Sequence, residues 1–250
     1  MIIYANSCSF GIPPPSGLAY SEIIAHNVSA SIVNRAKGGS CNRRIIRSSL
    51  RDLIEIKQTS DKQILALIGL SFFFRTELWQ PNIPAVDNDG NFHPIGIHTS
   101  HVIKTNDYYS GDVDDACNNT DPAIRDYYRQ WLIHESKEAL ITELITDIVM
   151  FSSWCRDNNI KCLIWNNASI WPALPDVDCN DIFLKSLSQS LLSDPSVINP
   201  WEFSFIDWAL SKGHKPYDAE IHGKYGHPGS TAHVDLAHYL LIELDKRNQL

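Results

Sequence analysis

The chain opens Met1-Ile2-Ile3-Tyr4-Ala5-Asn6-Ser7-Cys8-Ser9-Phe10-Gly11. Residues 1–5 form a short, nearly all-apolar run, as expected of a strand buried inside a parallel sheet. The run ends in a polar turn, Asn6-Ser7-Cys8-Ser9, followed by Gly11. Reactive side chains of open parallel sheets collect at the carboxyl ends of strands, and Ser7 stands at such an end. A serine there is also an ordinary helix-capping residue. Ser7 therefore carries two readings, nucleophile and cap.

Working outward, the same kind of run recurs. Residues 31–33 give a second short strand closing at Asn34, residues 63–70 (QILALIGL) a third, and residues 161–165 (KCLIW) a fourth. Between them lie stretches of helical period. Residues 20–26 are amphipathic, and residues 41–56 place Ile45, Ile46, Leu50, Leu53 and Ile54 at helical spacing. Further helices are expected over about residues 122–158, 181–192 and 230–246. Residues 76–121 break the rhythm, being rich in Asn, Asp, Gly and Pro with Trp79, Phe92, Tyr108 and Tyr109 interspersed. Strands alternating with helices imply an α/β fold around a parallel sheet. The expectation is one domain over residues 1–250, with a long insertion at about 76–121.

Composition narrows the function classes. At 44% apolar and 20% charged residues the 250-residue chain is ordinary globular material, long enough to bury a core without metal or disulfide staples. A net charge of -8 argues against nucleic-acid partners, which ask for a basic face. The one basic cluster, Arg43, Arg44, Arg47 and Arg51, has helical spacing and reads as a solvated helix face. Cys8, Cys41, Cys117, Cys155, Cys162 and Cys179 form no CxxC pair, so reduced thiols are expected. The first residues carry no basic, long-apolar leader, and no apolar run reaches membrane-spanning length. A soluble cytoplasmic protein without a membrane partner is the expectation. Oligomeric state is left open.

Four blocks, taken in order, resemble the SGNH/GDSL-type serine esterases. Asn6-Ser7-Cys8-Ser9-Phe10-Gly11 is similar to the family's Gly-Asp-Ser-x-Ser/Thr-x-Gly opening, with Ala5 and Asn6 replacing the glycine and aspartate. Asn34 followed by Gly39 is similar to the second block, whose glycine N–H serves the oxyanion. Gly69-Leu70-Ser71 stands where the family has Gly-x-Asn, so Ser71 replaces an asparagine donor. Gly226-His227-Pro228 looks like the final His-Pro signature, but Lys224 occupies the place of the aspartate three residues before the histidine. Asp218, Glu220 or a backbone carbonyl are the candidates to orient His227. His222 and His233 are rival bases.

The resemblance implies a three-layer α/β/α sandwich with a central parallel sheet of flavodoxin-like type, and no metal or organic cofactor. It further implies hydrolysis of an acyl ester, with O-acetyl groups and carbohydrate substrates among the expectations. Ser7 would be the nucleophile and His227 the base, with Gly39, Ser71 and the Ser7 N–H at the oxyanion. Two other readings stand beside it. The replaced side chains fit a degenerate member that binds a glycan or other ligand without turnover. His98 and His101 near Asp112 to Asp115 prompt a metal-dependent hydrolase, although their spacing matches no tight ligand motif.

Overall fold

The computed structural model describes residues 1–38, 40–72, 139–168, 171, 183–220 and 226–250, and the backbone alone of residues 76–80, 85–86, 92–93, 96–100, 137–138, 182 and 221–222. Among the described residues, four parallel strands make the central sheet: β1 (Ile2–Ser7), β2 (Ser31–Asn34), β3 (Ile64–Leu70) and β8 (Lys161–Asn166). Their order is β2-β1-β3-β8. Beyond β8, Val197 forms a parallel bridge to Ile164, and Ile164 N–H donates to the Ser196 carbonyl at 2.7 Å. The strand order thus continues outward on that side, as in doubly wound sheets.

Both faces of the sheet are covered. Helices α2 (Asn42–Thr59), α3 (Lys137–Asp157) and α4 (Ile182–Ser193) pack on one face, burying Tyr4, Ala66, Ile68 and Ile164 with Ile45, Leu53, Ile145 and Ile148. Helices α1 (Tyr20–Asn27), α5 (Phe205–Ser211) and α7 (Ser230–Lys246) cover the other, burying Ile3, Ala5, Leu67 and Trp165 with Ile24, Phe205, Leu236 and Leu240. All seven residues of β3 are buried, which explains why its sequence lacks alternation. The architecture is the three-layer α/β/α sandwich expected from the sequence. The arginine face of α2 does meet solvent: Arg43 and Arg51 are more than half exposed, and Arg43 pairs with Glu143 at 2.8 Å. Among the described residues, no helix is long and apolar enough to cross a membrane.

One expectation needs amendment. The stretch read as an irregular insertion contains antiparallel ribbons, β4 (Thr76–Gln80) with β7 (Gly96–Ser100), and β5 (Ala85–Val86) with β6 (Phe92–His93). Strands of two to five residues are too short for periodicity to register, and their stability comes from a partner distant in sequence. Helix α3 is described from Lys137, so the expected helical residues 122–136 lie outside the described residues. Helix α5 and the single turn α6 (Ala219–His222) were not anticipated. The first has a cap legible in retrospect, since Ser204 Oγ accepts from Asp207 N–H at 3.1 Å. Cys8, Cys41, Cys155 and Cys162 are buried and in no disulfide, while Cys117 and Cys179 lie outside the described residues.

Candidate active site

Ser7 ends β1, and its side chain turns to the sheet face covered by α1 and α7, the same face as Ile3 and Ala5. Asn6, one residue earlier, turns to the opposite face. Its amide nitrogen lies 3.2 Å from the Ile45 carbonyl, 2.9 Å from Ser48 Oγ and 3.0 Å from Ser49 Oγ. A carboxylate has no proton to donate to that carbonyl, which accounts for an amide at this position. Asn6 Oδ1 in turn accepts the Ser7 N–H at 2.9 Å. The Ser7 N–H expected at the oxyanion is therefore engaged by a neighbouring side chain.

Across the sheet, Ser7 pairs in register with Gly69 of β3, and Gly69 with Trp165 of β8. The absent side chain at Gly69 leaves a gap through which Ser7 meets Asn167. Asn167 Nδ2 donates to Ser7 Oγ at 2.6 Å, and Asn167 Oδ1 accepts from the Trp165 indole N–H at 2.6 Å. A Cβ on Gly69 would lie 2.1 Å from Asn167 Nδ2 and 3.0 Å from Ser7 Oγ. Tyr20 of α1 closes the cluster. Burial pushes its phenol well up from the ordinary value, against the opposing effect of hydrogen bonds with Asn167 and Ser7. Gly11 is also required by close approach, since a Cβ there would stand 2.7 Å from Ser7 Cβ.

The segment after β2 runs along the end of β1. Arg35 N–H donates to the Ala5 carbonyl at 2.7 Å, and Lys37 N–H to the Ser7 carbonyl at 3.1 Å. Gly39, the expected oxyanion glycine, lies outside the described residues. Ser71 is buried, and the Asn42 side chain clamps its backbone, Oδ1 accepting the Ser71 N–H at 2.6 Å and Nδ2 donating to the Ser71 carbonyl at 3.1 Å.

His227 precedes α7 and packs against Phe10, three residues after Ser7, at a ring-centroid distance of 5.4 Å. Tyr217 stacks on it at 5.9 Å. An antiparallel bridge, Pro216 to Pro228, together with the Tyr217 N–H to His227 carbonyl bond at 3.0 Å, brings residues 216–218 alongside 226–228. Asp218 consequently grips His227 twice: Oδ1 accepts the backbone N–H at 2.6 Å, and Oδ2 pairs with Nδ1. Glycine at 226 permits this, because a Cβ there would fall 2.2 Å from Asp218 Oδ1. The carboxylate at Nδ1 holds the ring proton there, so in the neutral ring the lone pair lies on Nε2. The side chains of His227 and Asp218 are 27% and 12% exposed. Among the described residues, no hydrogen bond joins Ser7 Oγ to the His227 ring.

Of the other candidates, Glu220 is exposed on α6, and Asp218 is the acid at His227. Lys224, His101, Asp112 to Asp115 and the side chains of His98 and His222 lie outside the described residues. His233 is buried in α7, where its Nδ1 accepts the Tyr20 N–H at 3.2 Å. Burial lowers its pKa to about 4, so it sits in the core as a neutral ring that docks α1. Among the described residues, no cluster of three or more His, Cys, Asp or Glu side chains is arranged to hold a metal ion. The sequence reading missed Asn167 and Tyr20. The rule about carboxyl ends of strands points to Asn167, which directly follows β8.

No family model matches the chain, and no curated protein matches it in sequence. Solved structures that resemble it include the psychrotrophic esterase EstA from Pseudoalteromonas sp., with 11% identity over 98% of this chain and 97% of that one, at a TM-score of 0.45. The acetylxylan esterase Axe2 from Geobacillus stearothermophilus shares 13% identity over 97% of this chain and 93% of its own, at a TM-score of 0.45. TesA shares 9% identity over 99% of both chains, at a TM-score of 0.43. What this chain does must come from its own residues.

Proposed function

We propose that the chain hydrolyses an acyl ester through Ser7 and His227. The observation that carries the reading is the Asp218–His227 pair, seated against Phe10 at the end of the strand that delivers Ser7. A carboxylate on Nδ1 fixes the tautomer whose Nε2 lone pair can take a proton, and it stabilises the imidazolium that follows.

In the first half-reaction, His227 Nε2 takes the Ser7 Oγ proton as Oγ bonds to the acyl carbon, and the carbonyl π pair moves onto oxygen. That intermediate collapses: the bond to the alcohol oxygen breaks, and His227 returns the proton to the departing alcohol. In the second half, His227 takes a proton from water, whose oxygen attacks the acyl-enzyme. The carboxylic acid leaves and Ser7 recovers its proton. Gly39 would contribute a backbone N–H to the oxyanion. Trp79, Phe92, Tyr108 and Tyr109 among Asn and Asp residues suit a carbohydrate-bearing alcohol, so O-acetylated glycans are the proposed substrates.

A fluorophosphonate probe tests this, with the adduct located by peptide mass spectrometry. Labelling of Ser7 is expected, lost in His227→Ala, together with p-nitrophenyl acetate turnover that Ser7→Ala abolishes. Turnover unchanged by Ser7→Ala would refute the reading.

A second reading, ligand binding without turnover, is favoured by one fact. Ser7 is wholly buried, and its Oγ accepts a hydrogen bond within a closed cluster. Glycan binding unaffected by Ser7→Ala, with neither labelling nor acyl release, would select it.

A further inference from the structure

Resting on the ester-hydrolysis reading, we infer that Asn167 is the side-chain donor that stabilises the oxyanion, the role expected of a residue at position 71. Beside the Tyr20 phenol, which is tied into the cluster by hydrogen bonds with Asn167 and Ser7, the described donors near Ser7 lead there. The Ser7 N–H is bonded to Asn6 Oδ1, and the Ser71 N–H to Asn42 Oδ1. A serine hydroxyl at 71 is also shorter than the amide it replaces. Asn167 Nδ2, by contrast, already points at the reacting oxygen from 2.6 Å.

Its orientation is determined. The Trp165 indole can only donate, so the Asn167 carbonyl oxygen must face it and the NH₂ must face Ser7. The backbone holds the residue in place: Asn167 N–H donates to the Leu70 carbonyl at 2.9 Å, and Ile206 N–H donates to the Asn167 carbonyl at 3.2 Å. The gap over Gly69 is what lets the amide reach across β3. A buried donor locked this way is held beside the reacting oxygen before charge develops, which favours electrostatic stabilisation. When Oγ bonds to the acyl carbon, its proton passes to His227, and the carbonyl π pair becomes a lone pair on an oxygen two bonds from Oγ. The N–H that rested on Oγ in the free protein is then adjacent to that new charge. No atom of Asn167 is transferred.

The test compares wild type, Ser7→Ala, Asn167→Ala and Asn167→Asp in p-nitrophenyl acetate turnover and fluorophosphonate labelling, with thermal unfolding as the folding check. Asn167→Asp preserves size and still accepts from Trp165, but offers no N–H toward Ser7. Loss of one oxyanion donor lowers kcat by about 10²–10³. Both Asn167 variants are expected to fall by that factor in kcat and in labelling rate, with KM within about threefold. If Asn167→Asp folds and retains kcat within about threefold while Ser7→Ala is inactive, the inference is overturned and the esterase reading survives. If wild type neither turns over nor labels, the esterase reading fails and the inference fails with it.

Discussion

The His233 imidazole makes stability depend on pH in a way that can be worked out in advance. It is 1% exposed, stacks on Tyr20 at 5.7 Å, meets Phe205 edge-on at 5.4 Å, and accepts the Tyr20 N–H through Nδ1. Burial holds its pKa at about 4, against an ordinary value of 6.5 in the unfolded chain. Above pH 6.5 neither state carries the proton, and below about 4 both do. Between these limits only the unfolded chain is protonated, so stability falls as pH falls, by about 1.4 kcal/mol per pH unit. The window is therefore worth about 3 kcal/mol, a large share of the roughly 5–15 kcal/mol that holds a typical domain folded. His233→Asn keeps an acceptor near the Nδ1 position and cannot titrate. Urea unfolding of both proteins from pH 7.5 to 4 should give lines that converge toward acid, wild type losing about 3 kcal/mol more than the variant. The variant will start lower at neutral pH, because it loses ring packing against Tyr20 and Phe205. The slope, not the offset, is the readout. Parallel lines would refute the account of His233 as a buried neutral anchor.

Two further substitutions probe the site. Asp218→Asn can still accept the His227 backbone N–H, but its amide group favours the wrong imidazole tautomer. Turnover of p-nitrophenyl acetate should drop by about 10³–10⁴ with little change in melting temperature, and a loss below tenfold would remove Asp218 from its orienting role. Gly69→Ala drives a methyl to 2.1 Å from Asn167 Nδ2, breaking the Trp165–Asn167–Ser7 chain of hydrogen bonds. With buried polar groups left unpaired at about 1–3 kcal/mol each, urea unfolding should show a loss of about 2–5 kcal/mol, whereas a change under about 1 kcal/mol would contradict the close approach.

Much of the fold was legible because its signals are local. The all-apolar run of residues 63–70 announces a strand buried on both faces, and the spacing of Ile45, Ile46 and Leu53 announces the helix beside it. The final helix is observed over Ser230–Lys246, where its periodicity indicates. The ribbon of β4 and β7 was not legible, because each strand is stabilised by a partner about twenty residues away and neither shows a strong pattern alone.

The site divides along the same line. The sequence by itself determined which residue types stand at the ends of strands: Ser7 after β1, Gly69 and Ser71 at the close of β3, and a His-Pro pair ahead of the last helix. The tertiary structure alone decided how they are partnered. Asp218 reaches His227 from nine positions upstream, through a bridge between Pro216 and Pro228 that no spacing rule encodes. Asn167 meets Ser7 across 160 residues of chain, because β1 and β8 flank β3 and β3 has a glycine at the crossing point. Periodicity and motif spacing report interactions within a few turns of chain. Hydrogen bonds between strand ends depend on which strands the connections make neighbours, and that is set by packing over the whole sheet.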